Sequence, residues 1–282
     1  VCWRRTWPYR SVNCRIKERG QPMNRKLDWK AEFCTMLEKL AARRSIWKVW
    51  SDFITLAAIT ISNLVKTSSW DEREEEYLSI IHTYQKEEQD IIVQLFAVMQ
   101  LAYEENDKQD FLGNVCQELE LLQRLKKQYF SPYSVSVASA EFVCEKLIWN
   151  DRLEMKGYLS VYDPACGTGT MLIAFAHMLQ KKEINPQTNA LFVGQDVDRI
   201  SALMCYIQLA ILGLPAYVIV GDTLSSPGRI PGNEVWYTPE YIVNAELFVD
   251  NQELCPEECG QSAPLDGRVE DCSEDEEEKR AS

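Results

Sequence analysis

Three aspartates carry the chemistry that this sequence suggests. Asp163, Asp196 and Asp222 follow closely on the short apolar runs Tyr158–Tyr162, Leu191–Gln195 and Ala216–Val220. Runs of that length, rich in Val, Tyr, Phe and Ile, read as β-strands. The first acid opens the segment Asp163-Pro164-Ala165-Cys166-Gly167-Thr168-Gly169-Thr170. Glycines directly after a strand let the backbone turn tightly and approach a ligand closely. The helix that follows presents free N–H groups to the ligand's polar end. Three nucleotide-like ligands compete for such a turn. A phosphate cradle requires Gly-Lys-Ser/Thr at a fixed interval, and none is present. A dinucleotide fold requires a third glycine where Leu172 stands. S-adenosylmethionine requires neither. An acid before the glycines holds its ammonium group, an acid closing the next strand accepts both ribose hydroxyls, and a third accepts a hydrogen bond from the adenine amino group. Asp163, Asp196 and Asp222 fit those three positions in order. Any one of them could merely cap its strand. Three at the carboxyl ends of successive strands, where open α/β sheets bind ligands, point to a site.

The elements that must position these acids alternate. Helices are predicted over Met171–Lys182 and Arg199–Leu212, between the strands, which implies a parallel sheet with right-handed crossovers. Upstream, Ser131-Pro132 breaks a helical pattern that resumes over Ala138–Trp149. From Trp29 to Lys127 the texture is helical throughout. Tyr77, Ile80, Ile81 and Tyr84, then Ile91, Ile92, Leu95, Phe96 and Met99, recur at three- and four-residue spacing, and Pro is absent. The acids from Asp71 to Glu76 suit a helix's first turn, where the macrodipole favours negative charge. The expected fold class is α/β: an N-terminal helical bundle followed by a partial Rossmann-like core. The expected domains are a basic leader over 1–28, a helical domain over 29–127, the α/β core over 128–250 and an acidic, disordered tail over 251–282.

Charge is uneven along the 282 residues, whose net charge is −13. Residues 1–30 carry nine Lys/Arg against two acids, and residues 251–282 carry eleven acids against three bases. An acidic body argues against autonomous nucleic-acid binding, because phosphate contacts favour clustered Lys and Arg. The longest apolar run, Phe53–Val65, is interrupted by Thr and Ser and is shorter than the ~20 residues a membrane span requires. The N-terminus lacks an apolar signal core, and residues 1–22, ahead of Met23, read as an appended leader or a basic arm. Ten cysteines in a chain of this length and apolarity do not imply a disulfide scaffold. Cys34, Cys116, Cys144 and Cys205 lie in apolar helical patterns and read as buried thiols in a reducing cytoplasm. Cys255, Cys259 and Cys272 lack a fourth ligand for zinc, and His82 and His177 have no catalytic partner in sequence.

Asp163–Leu172 (DPACGTGTML) resembles the cofactor motif of the adenine-N6 DNA methyltransferases, specifically the modification (M) subunit of type I restriction-modification systems. The resemblance extends upstream to Phe111-Leu112-Gly113-Asn114 and to Gln128-Tyr129-Phe130-Ser131-Pro132-Tyr133, and downstream to Gly194-Gln195-Asp196 and Gly221-Asp222-Thr223-Leu224. It covers roughly residues 30–224. It implies that Gln128, Tyr129, Phe130, Ser131, Pro132 and Tyr133 wrap the methionine end of the cofactor, with Ser131 where the family has Thr. Asp163, Cys166, Gly167, Thr168, Gly169, Thr170, Asp196 and Asp222 would complete the S-adenosylmethionine site; no metal is implied. The family acts on an adenine extruded from DNA, so DNA is an implied partner, together with a specificity or nuclease subunit.

The family's catalytic turn, Asn/Asp/Ser-Pro-Pro-aromatic, does not occur after Leu224. The nearest candidates are Ser226-Pro227-Gly228, which lacks an aromatic, and Thr238-Pro239-Glu240-Tyr241, which makes Thr238, Pro239 and Tyr241 weak catalytic candidates; Glu240 would put a negative charge beside the base. The family's remaining strands and target-recognition region find no counterpart after Leu224, so the chain reads as a truncated relative. Its sheet is then expected to show an exposed edge unless Val235–Val249 covers it. Two alternatives stay open beside a DNA methyltransferase: a non-catalytic module that binds cofactor or partner, and a methyltransferase for a small molecule or protein.

Overall fold

Asp28 caps the first helix of the described residues, its carboxylate accepting the Ala31 N–H at 3.1 Å. The structure, a computed structural model, describes residues 28–121, 131–149 and 157–248, with the side chains of 146–149 excepted. All of the expected leader over 1–28 but Asp28, the segments 122–130 and 150–156, and the expected tail over 251–282 with the two residues before it lie outside the described residues. So do Cys255, Cys259 and Cys272.

Among the described residues five α-helices come first: α1 (Trp29–Leu40), α2 (Ile46–Ser62), α3 (Trp70–Ile81), α4 (Lys86–Glu105) and α5 (Phe111–Glu118). Asp71 and Glu72 fall in the first turn of α3, and Glu87 and Glu88 in that of α4, where the helix dipole favours them. α6 (Tyr133–Trp149) follows, then β1 (Leu159–Asp163), α7 (Thr170–Lys181), the short α8 (Pro186–Asn189), β2 (Ala190–Asp196), α9 (Arg199–Ile211) and β3 (Ala216–Val220). β4 (Glu234–Tyr237) and α10 (Pro239–Val243) follow, and a 3-10 turn over Ala245–Phe248 is the last element among the described residues. α6 starts five residues earlier than expected. Ser131 and Pro132 stand non-helical ahead of it, and the Pro132 carbonyl accepts the N–H groups of Val135 and Ser136 in its first turn; the residues before Ser131 lie outside the described residues.

The strands run in the order β1-β2-β3-β4, with the first three parallel and β4 antiparallel to β3. β4 therefore covers the outer edge of β3, while β1 pairs only with β2 among the described residues. The two sheet faces differ. Leu159, Phe192, Val218 and Trp236 turn toward α7 and α9 and share one continuous core with Phe33, Trp50, Phe53, Leu95, Met99 and Phe111 of the first five helices. The opposite face carries a smaller cluster of Tyr158, Leu191, Val193, Ile219 and Phe248, edged by Tyr217 and Tyr241. β2 is buried along its whole length, as a central parallel strand must be.

Two arginines tie the helices to the antiparallel strand. Arg73 is buried; it donates to Ser62 Oγ at 2.6 Å and to the Val235 carbonyl at 2.8 Å, and lies 3.9 Å from the Trp236 ring centroid. Arg199, at the first turn of α9, donates to both oxygens of Glu76 at 3.0 Å and to Glu234 at 2.9–3.2 Å. Arg199→Leu leaves Glu76 and Glu234 facing each other without their cation. Because the cluster is about one third exposed, the expected loss is about 1–2 kcal/mol rather than that of a fully buried pair. Urea unfolding checks it, and raised salt narrows the difference.

Among the described residues, no helix is long and apolar enough to cross a membrane, and no cluster of His, Cys, Asp or Glu is arranged to hold a metal ion. Cys34, Cys116, Cys144, Cys166 and Cys205 are free and buried. Burial pushes the Cys34 thiol up to about 11 and the Cys116 thiol up to about 12, so both behave as inert packing groups.

Candidate functional site

The carboxyl ends of β1, β2 and β3 lie side by side, because Asp163 pairs in register with Gly194, and Asp196 with Val220. Asp163 and Asp196 close their strands, and Asp222 stands two residues beyond β3. The glycine turn folds over β2: the Cys166 N–H donates to the Gln195 carbonyl at 3.0 Å, and the Gly169 N–H to the Cys166 carbonyl at 2.7 Å. Gly169 caps α7 in the left-handed region, with φ +89°. A Cβ there would lie 2.8 Å from Cys205 Sγ and 3.3 Å from its Cα, so both the torsion and the space demand glycine. Gly194 lets the turn sit against the strand, since a Cβ would lie 3.0 Å from Cys166 Sγ.

The three acids differ in environment. The Asp163 carboxylate accepts the Ala165 N–H at 3.1 Å. Burial pushes its carboxyl up, and the neighbouring Asp196 charge adds to the rise, while the Ala165 bond opposes it. No Lys or Arg among the described residues forms an ion pair with it. Asp196 is buried and accepts the Gly167 N–H at 2.9 Å on Oδ2 and the Asp198 N–H at 2.9 Å on Oδ1. It therefore braces the glycine turn from the end of β2. Asp222 is fully exposed. The Leu224 N–H at 3.0 Å and the Ser225 hydroxyl at 3.0 Å hold its carboxyl below the usual range.

The other expected residues divide. Gly167 and Gly169 form the turn, with Gly167 at φ +52°. Cys166, Thr168 and Thr170 are buried, and both threonine hydroxyls point inward to Asp110, so any contact they make with a ligand comes through their backbone. Gln128, Tyr129 and Phe130 lie outside the described residues. Ser131 and Pro132 are exposed at the start of α6. The Tyr133 hydroxyl pairs with His177 Nδ1 at 2.6 Å. His177 is two turns beyond Thr170 on α7, about 10 Å along the axis, so the structure directs this hydroxyl away from the glycine turn.

Thr238, Pro239 and Tyr241 stand at the wrong end of the sheet. β4 runs antiparallel and returns the chain to the amino end of β3. There the buried Thr238 hydroxyl accepts the Ala216 N–H at 2.9 Å and lies within hydrogen-bond reach of the Leu214 and Ala216 carbonyls. It also caps α10 by accepting the Tyr241 N–H at 3.3 Å. Pro239 is the first residue of α10, and the Tyr241 ring stacks 5.5 Å from Tyr237. The five residues of β3 separate this group from the acids by about 13 Å. In the structure Thr238 and Pro239 therefore serve as the cap and first residue of α10. The same end holds a cleft of about 260 Å³ bordered by Phe96, Tyr103, His177, Leu212 and Pro239, well away from the acids.

Sequence reading missed four residues here. Val197 and Leu224 follow closely on two of the acids, and are 56% and 96% exposed. Exposed apolar side chains beside hydrogen-bonding acids suit the faces of a flat ring. Gln195 is buried; it accepts from Tyr162 at 2.8 Å and from the Gly228 N–H at 2.9 Å and donates to the Ser226 carbonyl at 2.9 Å, fastening the loop that carries Asp222. Asp110, the fourth, holds the glycine turn from behind.

A mostly parallel α/β sheet with a glycine turn, a helix N-terminus and acids at its carboxyl ends has its candidate site where open α/β sheets bind ligands. Residues 110–248 match the N-6 DNA methylase family. A Listeria monocytogenes protein assigned to the class I S-adenosylmethionine-dependent methyltransferases matches in structure at a TM-score of 0.39 and 17% identity, over 79% of this chain and 70% of that one. No curated protein matches the chain.

Proposed function

We propose that the carboxyl ends of β1–β3 bind S-adenosylmethionine, in a protein related to the adenine-N6 DNA methyltransferases and, within them, to type I M subunits. Asp163 is the observation that carries the cofactor. A carboxyl whose ionisation is opposed by burial and by Asp196, with no cation paired to it among the described residues, is relieved by a ligand bearing positive charge. S-adenosylmethionine supplies that charge and, when bound, an electrophilic methyl group. Asp163 holds the ammonium, Asp196 accepts from the ribose, and Val197 and Leu224 border the adenine with Asp222 beside it. The match over 110–248 supports DNA adenine as the acceptor. With a net charge of −13, contact with DNA calls for a second subunit.

A second reading, a cofactor-binding module without transfer activity, is favoured by one observation. The weak catalytic candidate Thr238–Tyr241 is a helix cap at the far end of the sheet. Thermal melts test cofactor binding: S-adenosylmethionine raises the melting midpoint, by ~2.7 kcal/mol of added stability at a hundred times its Kd, and adenosine raises it less. An unmoved midpoint overturns the proposal. Tritiated cofactor with mixed DNA then separates the two readings, since only the enzyme labels DNA.

Leu224→Ala provides a cleaner test of the adenine wall. Its side chain is 96% exposed, so the free protein loses almost nothing. Affinity for S-adenosylmethionine falls by roughly fivefold to tenfold as a buried apolar contact is lost in the complex, and titration calorimetry measures it.

A further inference from the structure

We infer that Asp110 is the positioning residue of the cofactor turn, holding it from the helical side in the conformation that receives the ligand. This rests on the reading that the turn binds S-adenosylmethionine. Asp110 caps α5 and is buried, 53 residues before the first acid of the site. Its Oδ2 accepts the hydroxyls of Thr168 at 2.5 Å and Thr170 at 2.6 Å, the two residues that flank Gly169. Its Oδ1 accepts the Gly113 N–H at 2.8 Å and Gln208 Nε2 at 2.9 Å. Gln208 also donates to the Thr168 carbonyl at 2.6 Å, and its own Oε1 accepts the Leu112 N–H at 3.1 Å and the Tyr103 hydroxyl.

Four donors meet two carboxylate oxygens, and no Lys or Arg among the described residues pairs with the charge. Such a buried anion is retained only where its donors satisfy it and a favourable dipole helps; here the N-terminus of α5 supplies one. The geometry has a purpose that a neutral residue would not serve. A turn with φ of +52° and +89° at its two glycines has little conformational preference of its own. Bonds from outside must select one state, and Asp110 supplies them on both sides of Gly169. Asparagine is the informative replacement: it has the same shape but only one acceptor oxygen, so a threonine hydroxyl must reverse its role.

The experiment compares the whole chain with D110N, Thr168→Val and Leu95→Ala, well below every melting midpoint. Leu95 is a fully buried residue of α4, remote from the turn, and reports on loss of stability alone. D110N raises the S-adenosylmethionine Kd by roughly tenfold and speeds amide hydrogen exchange over residues 166–170, and Thr168→Val does the same to a smaller degree. The double variant is less impaired than the sum of the two, because both remove one interaction. Leu95→Ala lowers the midpoint and changes neither reading. Unchanged Kd and exchange in D110N, or equal changes in Leu95→Ala, overturns the inference. A wild-type chain that binds no S-adenosylmethionine, with D110N still speeding exchange at the turn, leaves the positioning role standing and removes the cofactor reading.

Discussion

Asp163→Asn weakens S-adenosylmethionine binding by roughly a hundredfold and stabilises the cofactor-free protein. Both effects come from one carboxyl. Burial raises its pKa above the ordinary carboxylate value, and Asp196 adds to that rise. Between the ordinary and the raised value the unfolded chain is ionised while the folded chain still holds the proton, so folding stability falls as pH increases through that window. At neutral pH the folded protein bears the full cost of the charge. Asparagine keeps an oxygen for the Ala165 N–H, which Asp163 holds at 3.1 Å, and carries no charge. The melting midpoint of the variant therefore exceeds that of the wild type at neutral pH, and the gap closes below the ordinary carboxylate pKa. The ammonium group loses its counter-charge, and a charge-assisted hydrogen bond is worth about 1.5–3 kcal/mol. In the wild type, affinity also declines as pH falls through the raised pKa, because the protonated carboxyl no longer attracts a cation. Melts at two pH values, with titrations beside them, check all three results.

Gly169→Ala is the second large effect, and it acts on the fold of the turn itself. Forcing a residue with a Cβ into the left-handed region costs about 1–2 kcal/mol. The Cβ also meets Cys205 Sγ at 2.8 Å and Cys205 Cα at 3.3 Å, in a core with no spare room. Overpacking of that kind costs about 1–3 kcal/mol. Together the loss is a large share of the ~5–15 kcal/mol that holds a typical domain. Adding Cys205→Ala removes the sulfur but not the backbone contact or the torsion, so it restores part of the stability. Denaturant midpoints of the two single variants and the double variant measure the recovery. A double variant no better than Gly169→Ala alone would show that the sulfur contact adds nothing to the cost of the torsion and the backbone contact.

The parts of the site legible in sequence share one property: they depend on neighbours along the chain. A strand, an acid and a glycine turn leave a local signature, so Asp163, Asp196 and Asp222 and the β1-α7-β2-α9-β3 alternation emerge directly, with boundaries one residue off at most of the ends. Asp110 leaves no such signature, because its partners Thr168, Thr170 and Gln208 are 58 to 98 residues away. Val197 and Leu224 are single apolar residues in loops, a pattern that means nothing until the fold places them beside the acids. β4 was equally hidden: four residues are too few for an alternation to show, and only pairing with β3 reveals that the chain has reversed. That reversal also decides the fate of Thr238, Pro239 and Tyr241. A Thr-Pro pair reads alike as a relic of a catalytic turn and as the start of a helix, and its position at the amino end of β3 leaves the helix start.

Isothermal titration of the purified chain with S-adenosylmethionine at neutral pH tests the central claim most directly. The account predicts saturable binding at one site per chain, weakened by roughly a hundredfold in Asp163→Asn although that variant melts at a higher temperature. A folded wild-type chain that takes up no S-adenosylmethionine, or an Asp163→Asn variant that binds as tightly as the wild type, would contradict it.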